Sequence, residues 1–397
     1  MRLLIYKQVT GLPYDIILQD GMLKPAQELE EYDFCVGDLT APAAIEDLLR
    51  LYGYEVPDLI PREYKNSFKE CGYTGDVPWS YVIPTPRFKQ ILMPFLKDIQ
   101  EMVTEVSKSE YSSFFRDTNT LFSMLEPCNL NEKSARSILE NEDNHVLNSF
   151  VSSSVGGSLP LPQYSRSSTK TGRLVVKSGP QILTMKKDHR TVLRASSRNK
   201  KLYEIDFVSL EPRVALNIAG ADLRGDVYTS FSENLGLGIS RDAAKLAVLC
   251  TLYGAGKYRL ESMLRDEGSD IPVEKLMKEV ANYFKVDNLS KDLSDQAKTG
   301  SITNLFGRPI EVDDQRPSIL VNNFLQSTAV DVSLAGFLDF CRQFADVVKP
   351  LFIIHDALLF EADPKKLTAV LEYVSNGYDM QGVGKFPLKI TELSSNE

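Results

Sequence analysis

The sequence predicts an α+β fold on three observations. Apolar, β-rich segments at 202–206 and 351–360 read as strands, the second as two strands joined at His355 and Asp356. Residues 91–106 carry Ile91, Leu92, Phe95, Leu96, Ile99, Met102, Val103 and Val106, an apolar stripe at helical spacing. Arg241, Lys245, Leu249 and Tyr253 recur every fourth residue in a stretch free of Pro and Gly, so they share one helix face. A chain of 397 residues exceeds one usual compact domain and implies two or three subdomains.

Taken in order, residues 2–7 and 32–36 read as short strands and 44–52 as a helix. Pro57, Pro61, Pro78, Pro84 and Pro86, with Gly72 and Gly75, then suggest loops or a linker. Pro94 is expected near the first turn of the 91–106 helix. Residues 131–140 form another predicted helix, and a Ser- and Gly-rich stretch at 152–158 leads into a basic segment. Beyond the strand 202–206, helical regions are expected around 240–265 and 273–285. A turn at Gly307, Arg308 and Pro309 follows, then a mostly helical stretch over 318–345.

Hydrophobic content of 43% is enough for a sizeable core. No run approaches the roughly 18–20 apolar residues of a membrane span, so no membrane partner is expected. The opening MRLLIYKQVTG lacks the pattern of a signal peptide. Cys35, Cys71, Cys128, Cys250 and Cys341 are scattered and odd in number, which argues for reduced thiols in the cytoplasm and against a zinc site. The net charge of −9 hides a local reversal. Between His145 and Lys201 eleven Lys or Arg stand against one acid, Asp188. Phosphate binding follows such local clustering, and a groove for a phosphate backbone is expected there, with a solvated surface as the alternative.

Two cations a turn apart, followed by a flat aromatic, suit a triphosphate and a base. Acids flank them: Asp206 at the end of one strand and Asp356 between two others. An isolated acid in either place commonly caps, pairs or turns the chain. Two carboxylates meeting at strand ends can instead hold two Mg²⁺ ions about 3.5–4 Å apart, the arrangement used for in-line phosphoryl displacement.

These residues resemble family A DNA polymerases, the group that includes bacterial DNA polymerase I and many phage enzymes. Asp206, Glu211 and Arg213 match motif A. Arg241, Lys245, Tyr253 and Gly254 match motif B, with Leu249 where an aromatic is usual. His355 and Asp356 match motif C, with Ala357 in place of its Glu. Thr171-Gly-Arg-Leu174 is similar to the primer-contacting segment, and Asn322, Gln326 and Asp331 to the family's Asn-x3-Gln-Gly-Thr-Ala-x-Asp helix. Gly307 and Arg308 stand where the family has a Gly-Arg turn. The resemblance covers about residues 145–390.

The resemblance implies a right-hand architecture. An antiparallel β palm would comprise 146–238, with the basic segment and motif A, and 316–397, with motif C. Helical fingers would be 239–315, a small helical thumb 86–145, and 1–85 a short α/β segment. It implies template-directed addition of dNTPs to a primer on primer–template DNA. Asp206, Asp356 and the Phe207 carbonyl would bind two Mg²⁺ ions, for which Mn²⁺ can substitute. Lys245 and Arg241 would bind the triphosphate, with Lys245 also protonating the leaving group. Leu249, Tyr253 and Gly254 would line the nucleotide site, Gly254 and Gly256 allowing the helix to swing. Glu211 would sit against the sugar C2′ and reject a ribose hydroxyl. Arg173, Asn322, Gln326, His355 and Arg213 would contact DNA, probing pair geometry through minor-groove acceptors.

The departures carry expectations of their own. Leu249 implies altered sugar discrimination. Pro212 inside motif A requires a bulge or edge position for its missing N–H. The first 145 residues lack an Asp-x-Glu exonuclease signature, so a compact phage-type enzyme without proofreading is expected, in a bacterial or phage-infected cytoplasm. Residues 1–85 remain open between an exonuclease remnant, a docking module for a replication accessory protein and a clamp substitute. The rival functions are a single-subunit RNA polymerase or primase-like enzyme on the same palm, and a catalytically decayed DNA-binding scaffold.

Overall fold

The computed structural model describes residues 1–27, 31–41, 43–73, 77–221, 225–236, 238–254 and 256–393. The chain is of mixed helix and strand, 49% and 18%, compatible with an α+β class. It divides into two compact units, Met1–Met124 and Leu125–Glu397. The division falls inside the stretch 86–145 that the sequence assigns to one helical subdomain.

The first unit holds a four-stranded sheet in the spatial order Met22–Pro25, Ile16–Gln19, Arg2–Ile5, Phe34–Val36. The first three strands are antiparallel and the last runs parallel to Arg2–Ile5. Asp20 and Gly21 turn the hairpin with φ of 51° and 76°. Asp-Gly suits a two-residue turn that needs both central residues left-handed. The described parts of the proline-rich region carry helices where the composition suggests loops; Gly75 lies outside the described residues. A helix, Arg62–Glu70, runs from Pro61 as N-cap, and another, Trp79–Val82, follows Pro78. Pro61, Pro78, Pro84 and Pro86 sit at helix starts, where a missing N–H costs nothing, whereas Pro57 lies in a loop.

The expected apolar helix spans Thr85–Ser107 and buries Phe88, Leu92, Phe95, Leu96, Ile99, Val103 and Val106. Pro86 takes the first turn, so Pro94 lies in the interior, contrary to expectation. A second helix, Glu110–Ser123, follows it.

The second unit is built on an antiparallel sheet in the order Val348–Ile354, Ala357–Ala362, Lys201–Phe207, Leu388–Leu393. The edge strand is partly covered. The buried Tyr164 hydroxyl donates to the Ile353 carbonyl (2.8 Å) and accepts from the Ile353 N–H (3.0 Å). The long helix Pro317–Gln343 packs on this sheet through Phe337, 5.4 Å from the Phe207 ring. Gly336 permits that approach, because a Cβ there would come within 2.7 Å of Phe207. The expected helical region near 240–265 is two helices, Arg241–Tyr253 and Lys257–Asp266, parted at Gly254 and Gly256 with φ of 69° and 90°. Helices Val273–Tyr283 and Val286–Ala297 follow. Pro212 needs no bulge: it lies in the first turn of the helix Leu210–Ile218, among donors that have no intrahelical acceptor.

Candidate active site

Strand pairing brings the two distant acids together. Asp206 faces Ala357 in the ladder, and the Phe207 N–H donates to the Asp356 carbonyl at 3.1 Å. The strands Val348–Ile354 and Ala357–Ala362 are joined by His355 and Asp356 alone, and His355 adopts φ 58°. A non-glycine residue in that region is uncommon and marks a constrained turn. Neither carboxylate has a salt-bridge partner among the described residues. Burial first, then the Asp356 charge and then Glu204, pushes the Asp206 carboxyl up to about 7, against Lys187 and Lys389. Burial and the Glu211 charge also push Asp356 above the ordinary carboxylate range, opposed by its own backbone N–H, His355 and Arg173.

Among the described residues no group of three or more His, Cys, Asp or Glu side chains is arranged around a metal position. Two like-charged carboxylates without a cation nonetheless fit Mg²⁺, a hard ion bound through one or two carboxylates with water and phosphate oxygens completing the shell. Phe207 closes the strand with its ring buried against Phe337 and Phe386.

Next to this pair, Glu211 projects from the start of Leu210–Ile218, a helix entered through Ser209 at φ 54°. The Tyr253 hydroxyl and Arg173 Nη2 (3.3 Å) both donate to the Glu211 carboxylate. With the Gln326 amide oriented to satisfy its neighbours, its nitrogen donates to Thr171 Oγ1 (2.6 Å). Its oxygen then accepts from Arg173 Nε and Nη2, each at 3.1 Å. Leu249, Tyr253, Tyr228, Glu211, Arg173, Gln326, His355 and Asp356 line one cavity. Burial and the Arg173 charge lower the His355 pKa, favouring the neutral ring. Burial and the Glu211 charge hold the Tyr253 hydroxyl protonated.

The cations of the Arg241–Tyr253 helix differ in state. Arg241 forms a fork to Asp226, Nε to Oδ1 at 3.1 Å and Nη2 to Oδ2 at 2.8 Å, over the Tyr228 ring (5.3 Å). Lys245 is exposed and has no ion pair among the described residues. Gly254 caps the helix, and a Cβ there would meet Ser318 Oγ at 2.8 Å. Asn322 is half-buried one turn before Gln326 and is not among the cavity residues. Arg213, expected at DNA, is instead 4% exposed and turned inward, donating to the carbonyls of Val208 (3.2 Å) and Gly225. The helix Leu210–Ile218 thus directs that side chain to Gly225, tying the end of the strand Lys201–Phe207 to the residue before Asp226. Sequence reasoning missed Asp226 and Tyr228. The Asp-x-x-Thr cap pattern marks Asp226 as a helix start, but nothing local signals its bond to Arg241.

The basic segment is largely occupied. Arg166 pairs with Asp331 (3.1 Å, both 1% exposed), Lys186 with Glu142 (2.5 Å), Lys200 with Glu361 (2.9 Å) and Lys201 with Glu392 (2.6 Å). Lys187 (3.3 Å) and Arg190 both meet the buried Glu204, Lys170 meets Asp313, and Arg173 meets Glu211. Lys177, Arg194 and Arg198 are exposed without an ion pair among the described residues.

No family model and no curated protein sequence matches the chain.

Proposed function

We propose that the chain is a template-directed DNA polymerase of the family A type, adding dNTPs to a primer 3′-hydroxyl with release of pyrophosphate. The observation that carries this reading is the ladder register that sets Asp206 beside the Asp356 turn, from positions 150 residues apart in the chain. On this reading residues 146–238 and 316–397 are the palm, 239–315 the fingers and 86–145 the thumb. Residues 1–85 offer a surface for a replication accessory protein, and the setting is the cytoplasm of a bacterium or infected host.

Asp206, Asp356 and the Phe207 carbonyl would hold two Mg²⁺ ions, or Mn²⁺, which when bound activate the primer hydroxyl and neutralise charge on the phosphates. The protein's own groups do the rest. Lys245 Nζ, unpaired, is available to the triphosphate and can give a proton to the departing pyrophosphate. Leu249 and Tyr253 supply the apolar wall for sugar and base. Glu211, held from two sides by Tyr253 and Arg173, cannot swing away from the sugar, so a 2′-hydroxyl would meet a fixed carboxylate. That support favours dNTPs over the RNA polymerase or primase alternative. Gln326, Arg173 and His355 are positioned to test the shape of the terminal base pair.

The test is Mg²⁺-dependent extension of a primed DNA template by the full chain. The wild type extends with dNTPs and not rNTPs, Glu211→Ala gains rNTP use, and Asp206→Ala and Asp356→Ala are inactive. Extension by either Asp variant at the wild-type rate would overturn the assignment. Inactivity of the wild type on duplex it still binds would favour the decayed scaffold.

A further inference from the structure

Asp226 belongs to no motif singled out above, yet it occupies a cation that the proposed chemistry needs. Its carboxylate is fixed in place. It caps the helix Val227–Asn234, accepting from the Thr229 N–H (2.9 Å) and Thr229 Oγ1 (3.0 Å). The preceding residue, Gly225, is held through its carbonyl by the buried Arg213. Arg241 is the adaptable partner: its side chain is half exposed and stands at the start of the Arg241–Tyr253 helix. The Asp226 fork takes the Nε and Nη2 donors, and Nη1 lies 3.9 Å from Asp242. The guanidinium edge that would grip a phosphate is therefore engaged, whereas Lys245 one turn later is not.

We propose that Asp226 is a restraint on Arg241, a competing anion that an incoming triphosphate must displace. The inference rests on the polymerase reading. In the ligand-free chain the fork tethers the first turn of the helix to the Asp226 cap and the Tyr228 ring. A polyphosphate offers the same planar donor edge a higher charge density, so it exchanges one fork for another and frees the helix start. A substrate lacking the outer phosphates cannot make this exchange. Asp226 thereby lowers affinity for triphosphates while leaving mono- and diphosphates unaffected, so it narrows the site's preference and keeps triphosphate binding weak enough to reverse.

Asp226→Asn removes the charge and keeps an acceptor for the Thr229 cap; Asp226→Ser keeps a shorter one and serves if Asn disturbs folding. Binding of inorganic tripolyphosphate and of a dNTP to the full chain, with Mg²⁺, is measured by equilibrium titration. An exposed ion pair predicts roughly two- to fivefold tighter binding by Asp226→Asn. Arg241→Ala weakens binding and, combined with Asp226→Asn, erases the gain. The gain is confined to tripolyphosphate, so the variant prefers it over pyrophosphate more strongly than the wild type does. Equal or weaker binding by both Asp226 variants, or a gain that persists without Arg241, overturns the restraint while leaving primer extension untouched. If the wild type fails to extend primers but the Arg241-dependent gain on tripolyphosphate remains, the restraint stands and the polymerase reading falls.

Discussion

Between residues 166 and 201, eight of eleven cations meet a carboxylate, while at the end of the sheet two carboxylates meet each other. The two regions share a strand: Glu204, which receives Arg190 and Lys187, lies two positions before Asp206. Glu204 is 6% exposed and Asp206 half-buried. Glu204 has cations within reach and Asp206 has another acid. A cluster of like charge in sequence thus became a set of structural cross-links. Two acids far apart in sequence became the uncompensated pair that a site for cations requires.

The largest effect expected from this contrast is on chemistry. On the proposed reading, Asp206→Ala or Asp356→Ala removes half of the cation site and lowers the extension rate by on the order of 10³-fold or more. Melting temperature should hold steady or rise, because each change relieves repulsion. A variant that is both inactive and strongly destabilised would mean that the acids serve the fold, and the contrast with Glu204 would disappear.

Next is the converse experiment. Arg190→Ala leaves Glu204 buried with only the exposed Lys187 as counter-charge. Losing one partner of a buried pair costs about 3 kcal/mol, read as a drop in denaturant midpoint at constant slope. Because Glu204 also raises the Asp206 pKa, the extension pH profile of the variant should move to higher pH. A stability change within about 0.5 kcal/mol would class Arg190 with ordinary surface cations.

The acid pair also makes a stability prediction with a definite sign. A carboxyl near 3.9 when unfolded and pushed up to about 7 when folded prefers the protonated form in the folded chain. Its penalty is absent below about pH 4, grows as pH rises and is complete above about 7. Acidifying from pH 8 to 5.5 should therefore raise the melting temperature of the wild type, and less so that of Asp206→Asn. Adding Mg²⁺ at pH 8 should produce a similar rise in the wild type alone. If the variant responds to pH and Mg²⁺ as the wild type does, the pair does not hold the cation.

The same contrast explains what could be read from the sequence. The helix carrying Arg241, Lys245, Leu249 and Tyr253 and the long helix over 317–343 were legible because helical contacts are local and periodicity reports them. The turn at His355 and Asp356 was legible from the apolar runs on either side. The bulge expected at Pro212 presumed extended chain, whereas Leu210 begins a helix; the DNA contact that the resemblance implies for Arg213 meets a side chain that this helix turns inward. The pairing of Asp226 with Arg241, and of the basic segment with Glu142, Glu204, Glu361 and Glu392, depends on tertiary approach across gaps of 14 to 191 residues. No local pattern records such partners. In the first unit, prolines at helix starts look the same in sequence as prolines in a linker.

The smallest expected effect concerns the cations left over. Arg198 is exposed, carries no ion pair among the described residues, and lies between Ser197 and Asn199 in a turn rather than against a carboxylate. If the basic segment still contacts a phosphate backbone, that contact must come from residues such as this one and Lys177, not from the eight that are engaged. Arg198→Ala should weaken duplex binding about equally for all sequences and reduce the slope of log K against log salt by about one, with no change in melting temperature. Lys201→Ala is the matched comparison, since its ammonium is held by Glu392 at 2.6 Å. Its loss should alter the salt slope less. An equal change in slope for both variants would show that surface ion pairs open freely on contact with DNA, and that pairing in the free chain does not decide which cations reach a phosphate.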